Sequence, residues 1–399
     1  MTTRRVFLKY LAVGVGFRWS LGRAADSRDV VTPEQFGAKG DGITDDTESI
    51  QAAIDSGCRN VHLSKKYAVS PVRHPGVAGI IGRDSVCIKL RSNLRIYGNG
   101  EILLEESSEG GSGAVLSNVS TEEIRNCVVE VAIDGRNAGG TRGFSGIVFI
   151  NANSCSTTQK TKVSNVSYNG IQFARNSHNC KCDGTTLTNI GYIGIQAQNP
   201  INIVVKRCQI RKTNDNAIDF ESNKGRQNGE IKNNNIVDCK AGVFLESGGN
   251  CVVEGNDISS FKTAGVFLNR INTPADNVKI IKNKISGNAH NVQFGGIAIN
   301  NAIRDVLIEE NVISGLPYGV WTNGGISNVT MNENIFKDIS KSIIRVADGK
   351  NQLVNSHIRK QNYIGNIVNG RPSMINTRDL KNKASLYNVT VDKLDVSGE

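Results

Sequence analysis

GIVFI from Gly146, GIQFA from Gly170, GIQAQ from Gly194 and AIDFE from Ala217 are four copies of one short pattern. Five more follow: GVFLE from Gly242, GVFLN from Gly265, GIAIN from Gly296, GVWTN from Gly319 and SIIRV from Ser342. The pattern is a small residue, a β-branched residue, a variable residue, an apolar residue and a second variable one. Successive copies start 24, 24, 23, 25, 23, 31, 23 and 23 residues apart. A fixed period of this size marks stacked structural units that bury their apolar faces against each other. Within a copy the apolar positions alternate with period 2, the period of a strand rather than of a helix. About 23 residues per turn with three short strands gives a right-handed parallel β-helix, an all-β solenoid. The 31-residue interval places an inserted loop between Asn269 and Gly296.

A second column supports this reading. Thr185, Cys208, Asn234, Asn256, Asn283, Asn311 and Asn334 each stand two residues before an apolar one. Asparagine at the same turn of every coil can hydrogen-bond its own copy above and below. The chain's 42 Gly against 7 Pro, and only 6% aromatic residues, suit many short strands joined by turns. Gly and Asn tolerate the positive φ that such turns demand.

Moving toward the N-terminus, FGAKGDGITDDTESIQAAIDSG from Phe36 predicts a capping helix. Asp45 is the expected N-cap, with Glu48 three residues on. Ile50, Ala53 and Ile54 form the apolar stripe, and Gly57 ends the helix. The segment resembles the N-terminal signature of the pectate-lyase-like β-helix superfamily, FGAxGDGxTDDTxAIQxAI. That superfamily includes polygalacturonase-like hydrolases, polysaccharide lyases and phage tailspike depolymerases. The resemblance implies a fold and a polysaccharide ligand, but no particular reaction. In the central coils the paired Asp-Asp, Gly-His-Gly and Arg-Ile-Lys of polygalacturonases are absent, as is the Asp-Pro-His of mannuronan epimerases.

The first residues, Thr3-Arg4-Arg5-Val6-Phe7-Leu8-Lys9, resemble a twin-arginine export signal at every position. An apolar stretch from Tyr10 to Phe17 follows, too short to span a bilayer. Gly22-Arg23-Ala24 is an acceptable cleavage site. The implied division is a signal peptide over 1–25, a capped β-helix over 26–350 and a closing segment over 351–399. The implied location is the periplasm or the exterior, reached through the twin-arginine machinery. The segment 1–25 holds five Lys and Arg and no acid, so its removal takes the net charge from +10 to +5. The remainder hints at an anionic partner. No Lys/Arg block is interleaved with aromatics, so nucleic acid is not an expected partner.

Nine cysteines cannot all pair within one chain. Cys127, Cys155, Cys180 and Cys208 recur at 25–28 residues, and most of them are expected as stacked core thiols. His178-x-Cys180-x-Cys182 would put three potential metal ligands on one strand face. No second cluster completes such a site, so no metal is expected there.

Stacking the nine copies gives the candidate site. In each, the second and fourth residues point inward and the third and fifth outward. The third-position column reads Val148, Gln172, Gln196, Asp219, Phe244, Phe267, Ala298, Trp321. The fifth reads Ile150, Ala174, Gln198, Glu221, Glu246, Asn269, Asn300, Asn323. Asp219, Glu221 and Glu246 therefore cluster on two coils. Gln172, Gln196 and Gln198 flank them on one side, and Asn269, Asn300 and Asn323 on the other. Phe244, Phe267 and Trp321 add aromatic faces, and Arg270 could approach from a turn, as could Lys224, Arg226 and, from the inserted loop, His290. Amides for hydroxyls, rings for sugar faces and central carboxyls suit a polysaccharide.

Glycoside hydrolysis needs two carboxyls flanking the bond. Glu221 or Glu246 is expected as the acid and Asp219 as the base, with the roles interchangeable. No cofactor is expected for that chemistry. The competing readings are a lyase or epimerase on a uronic-acid polymer, in which the acids would hold Ca²⁺, and a noncatalytic glycan-binding protein. Exported β-helix proteins of exopolysaccharide clusters are similar overall. Monomer and trimer both remain open.

Overall fold

The computed structural model describes residues 30–74, 85–105, 112–119, 122–136, 143–223, 228–247, 249–271, 276–288, 291–346, 353–364, 373–376, 386–391 and 395–397. The twin-arginine motif, Lys224, Arg226 and His290 lie outside them.

Parallel pairing dominates. The strands Ile171–Ala174, Ile195–Gln198 and Ile218–Glu221 stack one on the next, each a coil further on. They continue into the ends of the long strands Asn235–Glu246 and Asp257–Asn269, then into Gly295–Asn300 and Tyr318–Asn323. One coil reads Lys181–Asp183, Thr186–Ile190, Ile195–Gln198, three strands on three faces. About 11 turns build a single solenoid. The core is one continuous apolar cluster running its length. Ile171, Ile195, Ile218, Val243, Val266 and Ile297 fill one inward column, and Phe173, Ala197, Phe220, Leu245, Leu268 and Ile299 the next, all fully buried. Each such large side chain contributes about 1.5–3 kcal/mol by leaving water.

The small residue that opens each copy has a steric cause. A Cβ at Gly170 would collide with Leu187, at Gly242 with Ile258, at Gly265 with Ile285 and at Gly296 with Ile313. These partners are the apolar residues two places after the amide column, so the two columns lock the same corner. The amide column itself is a buried hydrogen-bonded ladder. The Asn234 side-chain amide donates to Asn256 Oδ1 at 2.8 Å, Asn256 to Asn283 at 2.9 Å, Asn283 to Asn311 at 3.0 Å and Asn311 to Asn334 at 2.9 Å.

Cys208 heads this ladder, its backbone N–H donating to Asn234 Oδ1 at 2.9 Å. It takes the place that the second column gives it and stands apart from the stacked thiols. Cys127, Cys155 and Cys180 do stack, each one residue ahead of the paired Val128, Ser156 and Lys181.

The helix Thr47–Asp55 closes one end, with Ile50, Ala53 and Ile54 buried in the same core. Its N-cap is Asp46, one residue later than expected, and the Asp46 carboxylate accepts the Lys39 and Gly40 amides at 2.7 and 2.9 Å. Asp45 instead accepts the Thr47 amide at 3.0 Å. The ninth copy of the repeat also slips by one. Val320 pairs with Ile344 and Trp321 with Arg345, so Ile343 stands where the other copies have a small residue. The segment expected to close the far end adds parallel strands to the stack: Leu353–Arg359, Asn362–Ile364, Ser373–Asn376, Leu386–Val391 and Asp395–Ser397.

Candidate functional site

The outward columns fall into the register that the repeat demands. Gln172, Gln196, Asp219, Phe244, Phe267, Ala298 and Trp321 pair in sequence, and so do Gln198, Glu221, Glu246, Asn269, Asn300 and Asn323. Glu221 and Glu246 are thus direct partners on neighbouring coils, about 4.8 Å apart at the backbone. Asp219 sits on the diagonal to Glu246.

Outward does not mean exposed. Gln172, Gln196 and Asp219 are 5%, 7% and 3% exposed. None of the three reaches a polymer on the surface, so their expected direct contacts with substrate do not fit this geometry. Gln196 Oε1 accepts the Asn169 amide at 2.8 Å, and Gln172 Oε1 is buried without a partner. Asp219 Oδ2 accepts the Asn216 amide at 2.9 Å, while its Oδ1 is buried without a partner. Burial pushes the Asp219 carboxyl well above the ordinary carboxylate range, and Glu221, Glu246 and Asp215 reinforce the shift. At 3% exposure Asp219 is not placed to touch a polymer at the surface as the expected base.

Above it lies an open polar cleft of about 440 Å³ that crosses four coils. Arg175 and Asn176 line it on the first, Gln198 and Asn199 on the second, Glu221, Ser222 and Asn223 on the third, and Glu246 on the fourth. Burial, then the neighbouring Glu221, raises the Glu246 pKa. Of the expected residues, the cleft gathers Gln198, Glu221 and Glu246.

Phe244 and Phe267 stand 5.0 Å apart at their ring centres, and Phe294 bridges Phe267 to Trp321 at 5.3 and 4.6 Å. The result is an unbroken aromatic row. Asn269, Asn300 and Asn323 are half-buried and bond to one another, Asn300 to Asn269 at 3.0 Å and Asn323 to Asn300 at 2.8 Å. Their amides serve the stack first. Arg270 turns to the Ala302 carbonyl at 3.5 Å.

Several residues of this face were not singled out in the sequence. Arg175, Asn199 and Ser222 occupy the position just after the fifth of each copy, so extending the columns by one would have found them. Tyr168 and Tyr192, ring centres 4.8 Å apart, stand two residues before the small residue, as do Lys240 and Asp215, paired at 3.1 Å; of these four, Asp215 is the one that the sequence offers, four residues before Asp219, either to the site or to a turn. Tyr192 is pushed up by burial and then by Asp215, with weaker effects from Asp219 and Glu221, which places it beside the acids. Phe294 comes from the inserted loop, whose contents carry no repeat signal.

Cys180 and Cys182 are buried, and His178 Nδ1 meets the Asn176 carbonyl at 2.9 Å. Among the described residues no three of His, Cys, Asp and Glu gather as a metal site would require.

Two family descriptions match the chain: "Right handed beta helix region" over residues 223–379, and "Periplasmic copper-binding protein (NosD)" over 129–294. The copper named in the second finds no ligand set among the described residues. Solved structures are similar over most of the chain. The A-module of a mannuronan C-5 epimerase from Azotobacter vinelandii has TM-score 0.74 at 18% identity, over 91% of this chain and 99% of that one. A family 28 exopolygalacturonase from Yersinia enterocolitica has TM-score 0.67 at 14% identity, over 93% and 78%. The tailspike protein of an E. coli bacteriophage, in complex with a pentasaccharide, has TM-score 0.75 at 16% identity, over 92% and 72%. Identities this low establish fold, not reaction. The stacked coils, the closing helix and these likenesses together show a right-handed parallel β-helix fold.

Proposed function

We propose that the chain is an exported, polysaccharide-acting glycoside hydrolase whose reacting groups are Glu221 and Glu246. The observation that carries this reading is the pairing of these two glutamates, register partners on adjacent coils, inside one polar cleft. Their backbone spacing of about 4.8 Å lies near the roughly 5–5.5 Å carboxyl separation of retaining glycosidases. Glu246, with its raised pKa, holds a proton at neutral pH more readily and gives it to the departing glycosidic oxygen. Glu221 attacks the anomeric carbon. Water, giving one proton to the now-deprotonated Glu246, then adds its hydroxyl to that carbon and displaces the Glu221 carboxylate. Asp219 lies buried beneath the pair, its carboxyl held well above the ordinary carboxylate range by that burial. Gln198, Asn199 and Asn223 supply donors and acceptors for hydroxyls, and the aromatic row from Phe244 to Trp321 supplies faces for rings. The twin-arginine pattern at Thr3–Lys9 and the periplasmic family match support export.

Arg175 favours a second reading. A permanent cation in the cleft suits a uronate carboxylate, the substrate class of a lyase or epimerase, with Ca²⁺ as the further cation. The fold shared with a mannuronan epimerase accords with it. Incubation with acidic and neutral polysaccharides separates the two. Reducing ends that start with the anomeric configuration of the substrate, without near-ultraviolet absorbance, support hydrolysis. An unsaturated, absorbing product that disappears with a calcium chelator supports elimination and overturns the first reading. Tight binding without product supports a glycan-binding protein.

A further inference from the structure

We infer that a second site, on another corner of the coils that carry the cleft, holds a carboxylate-bearing polysaccharide by charge without cleaving it. The inference goes beyond the glycoside hydrolase reading and does not depend on the reaction in the cleft.

The site is built on one carboxylate. Asp183 faces three cations: Arg207 Nε donates to its Oδ1 at 2.7 Å, Lys181 touches its Oδ2, and Lys206 Nζ lies 3.7 Å from Oδ2. One negative charge does not balance three positive ones, and among the described residues these cations pair with no other acid. A fourth cation comes from an irregularity in the preceding coil, the turn Thr158–Thr161. The Thr161 N–H donates to the Thr158 carbonyl at 2.9 Å, and the Thr161 hydroxyl accepts the Thr158 N–H at 3.0 Å and donates to the Val129 carbonyl at 2.6 Å. The turn packs on Gly184, where φ is +77° and a Cβ would stand 2.9 Å from Gln159 Cβ. So fixed, it holds the exposed Lys160 beside a pocket of about 250 Å³ that Ser156, Thr158, Lys181, Asp183 and Arg207 also line. Glu130 lines it too, but that carboxylate is taken by Arg95 at 2.6 Å and by the Thr158 hydroxyl at 3.1 Å.

The adjoining face continues the pattern. Its outward positions on the same three coils are Lys162 and Ser164, Thr186 and Thr188, Gln209 and Arg211, stacked in register: two cations, four hydroxyl or amide groups and no acid. Cations crowded on coils about 4.8 Å apart raise the local potential, and a polyanion relieves it. Carboxylates for the cations and sugar hydroxyls for Ser, Thr and Gln describe an acidic polysaccharide. None of these residues offers an aromatic face for a nucleobase or an apolar side chain for a membrane. Lys181–Asp183 belongs to the coil of Gln198 and Asn199, and Lys206 and Arg207 to the coil of Glu221. Only the face of strand Ile201–Lys206 separates this corner from the cleft, so a polymer held here keeps its other stretches at high local concentration near the glutamates.

The test is affinity electrophoresis of the full chain through gels containing polygalacturonate, alginate, hyaluronan or dextran, at low and high salt. The variant combines Lys160→Gln, Lys206→Gln and Arg211→Gln, which leaves Lys181 and Arg207 on Asp183 and so keeps the corner folded. Its affinity for at least one acidic polymer should fall roughly 3- to 100-fold, the worth of three exposed ion pairs. Salt should weaken the wild type toward the variant, and both should bind dextran alike. Equal affinity of variant and wild type for every acidic polymer overturns the inference, as does an equal loss on dextran. Wild-type binding to phosphatidylglycerol vesicles but to none of the polymers overturns it in favour of a membrane. Glu221→Gln should keep the binding of the acidic polymer, and its loss there instead would return the polymer to the cleft and overturn the second site. Binding without any cleavage overturns the hydrolase reading alone.

Discussion

Asn283→Ala tests whether the buried amide ladder holds the coils in register. Asn283 Oδ1 accepts both the backbone and side-chain N–H of Asn256, at 3.0 and 2.9 Å. Its Nδ2 donates to the Val253 carbonyl at 2.9 Å and to Asn311 Oδ1 at 3.0 Å. Alanine keeps the backbone bond from Asn283 N–H to Asn311 Oδ1 and loses the rest. The Asn256 side chain keeps its bond to the Ile231 carbonyl at 2.9 Å, but the Asn256 backbone N–H is left buried. One orphaned buried donor costs about 1–3 kcal/mol, and the other lost side-chain bonds about 1 kcal/mol each at most. The expected loss is therefore about 2–4 kcal/mol. Asn300→Ala is the control, since Asn300 belongs to a half-buried ladder where water can replace lost bonds, and should cost under about 1 kcal/mol. Urea unfolding followed by circular dichroism measures both. Equal shifts in midpoint, or a loss under about 1 kcal/mol for Asn283→Ala, would refute the reasoning.

Three further outcomes are expected. In the folded protein Asp219 keeps its proton to a pH well above the unfolded value of about 3.9, so stability falls as pH rises through that window; Asp219→Asn cannot ionise, and its urea midpoint should gain on the wild type between pH 4 and pH 8, whereas parallel curves would mean an ionised Asp219. Of the nine thiols only Cys58 is not fully buried, and burial pushes Cys208, Cys239 and Cys251 up to about 12; Ellman's reagent should label one thiol per native chain and nine in denaturant, and several fast thiols would contradict the packed core. Phe294→Ala breaks the aromatic row and should raise KM about 2- to 10-fold at unchanged kcat, the worth of about 0.5–1.5 kcal/mol of ring contact; an unaltered KM would take the row out of the binding groove.

The fold was legible because its cause repeats. Coil after coil carries a small residue where the next coil's Leu187, Ile258 or Ile313 crowds the corner, and five coils in succession carry Asn at the same turn, so chance cannot imitate the pattern. The register of Glu221 with Glu246 followed from that period alone. What alternation could not give was cover. Period 2 tells which way Asp219, Gln172 and Ile150 point, but not that each is buried. The same limit hid Phe294, which a non-repeating insertion carries; Cys208 fitted both the thiol spacing and the amide column, and its bond to Asn234 settles it at the head of the ladder. The slip at Ile343 shows a local match overruled by pairing with the neighbouring coil.

The central claim is that Glu221 and Glu246 are the reacting carboxyls, and the initial rates of Glu221→Gln and Glu246→Gln test it most directly. On a polysaccharide that the wild type cleaves, each variant should lose about 10²- to 10⁴-fold or more in kcat, as expected for removing a group that moves a proton or attacks in the transition state. Folding as stable as the wild type's would exclude collapse of the coil. A wild-type rate from either well-folded variant would contradict the account.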